Sequence, residues 1–352
     1  MIRNNGKLGI KHAVSIDGDI LMKIVLGVAD LRIPIWEFIN LSDIMVNNLS
    51  LKSKKKVKLL QELKEKHDLT IWIDSGGYQI LVNGLKINID DIIRRYSSIP
   101  ADIYMSLDIP TFLPTEKQYK IVEENIRNFF ILTKKFKDRK IIPVIHMYKG
   151  KLLQYAFEKY MEVGIDLIAY GGIVPPMLRA TRLRLISLLG ALILRKLDPK
   201  VKIHVLGIGS YVMIRILEKM GIWSIDTSTW RVKAAFGHVI VPGLGERYVG
   251  NRKIKFGTPK IRPEELELLY RELEKTHFPL LDQFEDLLKS FTGRALINAW
   301  VILKINNGLN RRSGFIKLYE KLGYYNKLPL EELLNEYDKG LFYAAQKIKI
   351  KK

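Results

Sequence analysis

Cysteine is absent from the 352-residue chain, which excludes disulfides and thiolate metal sites and leaves any zinc centre to histidine and carboxylate ligands. Histidine is scarce as well: the six are scattered without paired ligand spacing, so a metal-dependent hydrolase site has little to draw on and no metal or other cofactor is expected. Long apolar runs are missing. The longest, 185–194, is interrupted by Gly190 and is too short to cross a bilayer, and the opening MIRNNGKLGIKH carries no apolar signal segment; the expectation is a soluble, cytoplasmic protein with no membrane partner. No internal repeat or low-complexity linker is visible. Acidic residues are in the minority, 37 against 58 Lys and Arg, for a formal net charge of +21. That balance points to a polyanionic partner, the alternative being lysine-rich helix faces turned to water.

Hydrophobic residues make up 47% of the chain, enough to bury a large core. From about residue 20 to residue 250, short β-like runs alternate with longer amphipathic stretches, the pattern of βα units around a parallel sheet. Strands are predicted at 23–28, 43–47, 70–73, 103–107, 141–145, 167–170, 202–206 and 224–226. Helices are predicted between them at 54–67, 116–136, 152–163, 180–196 and 211–220. Eight strands imply a (β/α)8 TIM barrel, class α/β. After Gly250 the pattern is helical only, at 263–275, 279–290, 295–305, 314–322 and 329–348, each opening near a proline or polar cap. The chain therefore divides into a barrel, 1–255, and a mainly helical C-terminal region, 256–352.

In a parallel barrel, catalytic groups stand at the C-terminal ends of the strands. Three aspartates qualify: Asp74 opens DSGGYQ, Asp108 follows IYMSL, and Asp226 follows WSI. A fourth strand ends in AYGG, where Gly171 and Gly172 allow backbone N–H groups to approach a ligand. Each alone reads equally well as a helix cap or a turn. Together they converge on one rim, where three carboxylates repel unless a metal, a cationic transition state or hydrogen-bond donors stand between them.

DSGGYQ at 74–79 resembles the DSGGFQ signature of the tRNA-guanine transglycosylases. SLDIP at 106–110, YGGIV at 170–174, LGIGS at 206–210 and GIWSIDTSTWR at 221–231 resemble further segments of that family in the same order. The resemblance covers roughly residues 40 to 255 and implies a transglycosylase that exchanges guanine for a modified purine. It makes Asp226 the nucleophile that attacks C1′ and Asp74 the general acid/base. Asp108 then accepts from the Watson–Crick edge of guanine, Gly172 N–H donates to the purine carbonyl beside Gly171, and Tyr78 and Leu206 sandwich the base. Ser75 and Gln79 support the pocket. Where the family has a pocket glutamine this chain has His146, either a base reader or a core histidine. The family's three-cysteine zinc subdomain is absent.

That absence bears on the polymer. Without the zinc module, the chain is closest in character to the members that insert 7-deazaguanines into DNA, with a preQ0-type base as the small-molecule partner. A tRNA substrate, or a non-catalytic nucleic-acid-binding partner subunit, is the alternative. Phosphate contacts are sought in the basic stretches 52–58, 134–140 and 179–184, mostly solvated helix faces, and above all in Arg231 and Lys233 after the nucleophile segment. Trp230 beside them either stacks on a base or fills the barrel rim. An oligomer is compatible with the sequence, though nothing in it fixes one.

Overall fold

The computed structural model describes residues 22–77, 79, 83–85, 87–111, 115–179, 181–250, 257–305 and 313–349. Nine parallel strands form one ladder: β1 (Lys23–Val28), β2 (Asp43–Asn47), β3 (Thr70–Asp74), β4 (Ile103–Met105), β5 (Lys140–Ile142), β6 (Val144–Ile145), β7 (Leu167–Tyr170), β8 (Lys202–Val205) and β9 (Ser224–Thr227). Their order is β5-β4-β3-β2-β1-β9-β8-β7-β6. The two end strands are joined by one residue, Pro143. Proline has no N–H to give a ladder, so the expected strand 141–145 divides there, pairing with β4 before it and β7 after it. The Pro143 carbonyl still accepts from Ala169 N–H at 2.9 Å. The ring is thus carried around by the chain itself, and the eight expected strands form a TIM-type barrel.

Around it stand α1 (Ile35–Phe38), α2 (Lys54–His67), α3 (Ile89–Ser98), α4 (Gln118–Lys135), α5 (Gly150–Met161), α6 (Val174–Arg179), α7 (Thr181–Leu197), α8 (Tyr211–Lys219) and α9 (Thr229–Ala235). Local chemistry sets their ends. Ser53 and Ser210 accept from backbone N–H groups at the starts of α2 and α8, and Asn88 with Asp91 forms a capping box on α3. Strand side chains alternate between two apolar layers. Val25, Met45, Trp72, Ile142, Val144 and Ala169 fill the barrel interior, while the alternate residues, such as Leu26, Ile44 and Ile73, pack outward in a second cluster shared with the helices.

Beyond the barrel lies a hairpin that the sequence reading does not anticipate, β10 (His238–Val241) and β11 (Gly245–Tyr248), paired antiparallel. Its Pro242-Gly243 turn was the available signal. From residue 257 onward the described segments are helical apart from one bridge between Tyr248 and Lys260: α10 (Pro263–Lys275), a single 3-10 turn (Leu281–Gln283), α11 (Phe284–Lys289), α12 (Phe291–Lys304), α13 (Ser313–Lys327) and α14 (Leu330–Lys349). These helices share the outer core of the barrel. Asn298 of α12, fully buried, accepts from Ile240 N–H at 2.7 Å and donates to the carbonyls of Trp230 and His238, both at 3.1 Å. No helix among the described residues is long and apolar enough to cross a membrane.

Candidate active site

The strand ends gather the predicted carboxylates. Asp74 closes β3 directly beside Asn47, its register partner on β2. The Asn47 side-chain amide donates to Asp74 Oδ2 at 2.5 Å and to Gln79 Oε1 at 2.9 Å, and Gly76 N–H donates to Asp74 Oδ1 at 3.1 Å. Asp74 keeps a partial opening to solvent, but protein encloses its other sides. Burial, reinforced by the negative charges of Asp108 and Asp226, outweighs these two donors and pushes its carboxyl up to about 7. That mutual influence brings the three aspartates into one electrostatic neighbourhood.

Asp108 lies deeper. Ser75 Oγ donates to its Oδ1 at 2.6 Å, and His146 Nε2 stands 3.0 Å from its Oδ2, close but off the line of a good hydrogen bond. Gly77 leaves the space that Asp108 occupies: a Cβ there would fall 2.6 Å from Asp108 Oδ2. His146 is almost fully enclosed, with Gly171 and Gly172 on its Nδ1 side, where added Cβ atoms would come within 3.2 and 3.0 Å of that nitrogen. Gly172 is held at φ +72°, a conformation that favours glycine, while the Gly171 N–H is committed to Ile145 O. Leu206 packs at the top of the interior cluster, against Gly171.

Asp226 sits on β9, nearly buried, and its Oδ1 accepts from Gly207 N–H at 2.6 Å. The GIGS turn makes this approach feasible. At Gly209 any Cβ would overlap the Thr227 side chain, whose Oγ1 donates to Gly209 O at 3.0 Å, so the turn can press against β9 only with glycine there. Below Asp226, inside the barrel, lies a residue absent from the sequence expectations: His204 Nε2 is 3.5 Å from Asp226 Oδ1. Asn47 was missed as well, and the turn at Gly207 was singled out without its N–H contact to Asp226. Period-two alternation would have found His204, because it precedes Leu206 by two residues and a strand turns both to one face.

The predicted nucleic-acid contacts separate. Arg231 is half-buried, with an enclosed Nε that has no hydrogen-bond partner. Lys233 faces Glu246 at 3.4 Å. Trp230 is fully buried and donates its indole N–H to Gly27 O at 3.2 Å; no face of it is open to a base, and here it fills the rim. The lysines of 52–58 and those at 134, 135, 137 and 140 are exposed, and Arg184 binds Met177 O at 2.8 Å. Tyr78 lies outside the described residues. Among the described residues, no three histidine or carboxylate side chains are grouped to hold a metal ion.

No protein-family model matches the chain. It is 32% identical over 271 residues to uncharacterized protein 306 of Sulfolobus islandicus rod-shaped virus 1, a match covering 75% of this chain and 79% of that protein. It is also 28% identical over 181 residues to the tRNA-guanine(15) transglycosylase of Nanoarchaeum equitans (strain Kin4-M), covering 50% of this chain but only 43% of that enzyme. The second similarity is distant and supports a guanine transglycosylase kind. The chain belongs to the family of the viral protein.

Proposed function

We propose that this member of the viral protein 306 family is a nucleic-acid guanine transglycosylase that replaces guanine with a 7-deazaguanine base, in DNA, through a covalent aspartyl-sugar intermediate. The observation that carries the reading is Asp74, a carboxyl pushed up to about 7 by burial and by Asp108 and Asp226. An acid/base that must protonate one purine and deprotonate the next works best near the ambient pH.

Asp226 has one oxygen tied to Gly207 N–H, so Oδ2 is the attacking atom. It forms a bond to C1′ as the bond from C1′ to the purine nitrogen breaks. The electron pair leaves with the purine, which takes the Asp74 proton and departs as neutral guanine. The incoming base then gives its ring N–H proton to the Asp74 carboxylate, its nitrogen attacks C1′, and the ester bond to Asp226 breaks, regenerating the free carboxylate. Asp108, aimed by Ser75 and backed by His146, accepts from the ring N–H and amine of guanine. Adenine cannot supply that pair of donors and leaves a buried carboxylate unpaired. Gly172 and Leu206 complete the base pocket, and Arg231 and Lys233 follow the nucleophile as phosphate contacts.

DNA as the polymer rests on the missing cysteines, which remove the zinc module by which the tRNA enzymes shape their RNA surface. In duplex DNA the target guanine has to leave the stack before C1′ is accessible. The relative that acts on tRNA, by its name, favours the second reading, a tRNA substrate. Labelled guanine and 7-cyano-7-deazaguanine, offered with duplex DNA and with tRNA to the wild type and to Asp226→Asn, decide between them. Incorporation into DNA alone, abolished by the substitution, is the expected result. Incorporation into tRNA alone replaces the polymer, and exchange into neither removes the reading.

A further inference from the structure

We propose that His204 is a positioning residue for the nucleophile, carrying its imidazole proton on Nε2 and directing it at Asp226 Oδ1; the assignment rests on the reading of Asp226 as the nucleophile. His204 is completely buried in the barrel interior. Its Nδ1 lies 2.7 Å from Ser224 Oγ, and one ring face packs on Trp72 with centroids 4.8 Å apart. Trp72 is fixed in turn, because its indole N–H donates to Asp43, itself paired with Lys23. The ring is therefore held on two sides, and its Nε2 is a buried polar atom without a hydrogen-bond partner, 3.5 Å from Asp226 Oδ1. Two lone pairs facing one another there would repel, whereas an N–H directed at the carboxylate is attractive. A buried donor without a partner is costly, and catalytic hydrogen bonds that are long in a free enzyme commonly tighten in its complexes. Gly207 N–H from above and His204 from below then hold the same oxygen. Rotation of the carboxylate about its C–C bond is suppressed, and Oδ2 stays directed at the mouth, where C1′ arrives.

Two measurements test this, and the first fails separately from the transglycosylase reading. In protein labelled with nitrogen-15 histidine, with the His204 signals assigned through His204→Gln, the Nε2–H tautomer is expected. Its Nε2 resonance should move in Asp226→Asn and stay in Asp108→Asn, which borders His146 instead. An Nδ1–H tautomer, or indifference to residue 226, overturns the proposal even if the protein exchanges no base. The second measurement compares His204→Gln with His204→Phe. Glutamine places an N–H where Nε2 stood and should keep kcat within about fivefold. Phenylalanine keeps the stacking on Trp72 but should lose kcat by about a hundredfold or more, with KM for guanine unchanged. The reverse order, an active Phe variant and an inactive Gln variant, identifies packing as the role of His204 and sinks the proposal. If the Phe variant does not fold, the resonance test and the Gln variant still decide.

Discussion

At the residue scale, Asp74 has two measurable consequences. Its charged form is disfavoured, so its proton leaves near pH 7 rather than near the ordinary 3.8. On the proposed mechanism guanine release needs the acid form: the single-turnover release rate should be flat below about pH 7 and fall tenfold per unit above it, while capture of the incoming base runs the other way. For stability, the folded state holds this proton more tightly than the unfolded chain. The contribution is full below the unfolded value and is lost as pH rises through about 7. Asp74→Asn should therefore melt at a higher temperature than the wild type at pH 8, with the difference closing toward pH 4. Gly77→Ala tests the space left for Asp108: the added methyl should displace that carboxylate and weaken guanine binding by roughly tenfold or more, with the circular dichroism spectrum unchanged. The three aspartates were legible because each ends an apolar run and is followed by turn residues. Asn47 was not, because at the end of β2 it reads as the cap of the turn that follows, and only the paired strand shows its amide on Asp74; His204 was not, because alternation gives its face but only the neighbouring strand reveals Asp226 as its partner.

At the scale of elements, Asn298 joins α12 to both α9 and the hairpin. Asn298→Ala leaves one N–H and two carbonyls without that partner in a largely buried interface, and urea unfolding should show a loss of about 3 kcal/mol; a loss below about 1 kcal/mol would show that water replaces the amide. Gly209→Ala forces β9 and the preceding turn apart at Thr227 and should cost stability and base exchange together. Most strands and helices were readable to within a few residues, since β-branched runs and helical apolar spacing report local structure directly. The division of the fifth strand followed from Pro143, whose effect depends on having neighbours on both sides. The hairpin was not legible because its two strands follow one another across a tight turn at Pro242-Gly243 and so break the alternation of strand and helix that marks the barrel.

At the scale of the molecule, the excess of positive charge predicts that affinity for nucleic acid falls linearly with salt on logarithmic axes. Titration of duplex DNA by fluorescence anisotropy should give that line, and Arg231→Ala should reduce its slope by about one; an unchanged slope removes Arg231 from the phosphate contacts. The C-terminal helices were legible as helices but not what they pack on: α12 docks on α9 and the hairpin, while α13 and α14 pack on α7, and those pairings had to come from three dimensions. That docking orders events in time. Translation delivers Asp74, Asp108 and Asp226 well before Asn298, so a nascent chain owns its three carboxylates while α9, the helix that follows Asp226, still lacks its anchor. Only when α12 has emerged from the ribosome and closed over α9 does the segment that follows Asp226 gain its Asn298 contacts, so chains that stall short of that point should hold the three carboxylates on a less firmly anchored rim.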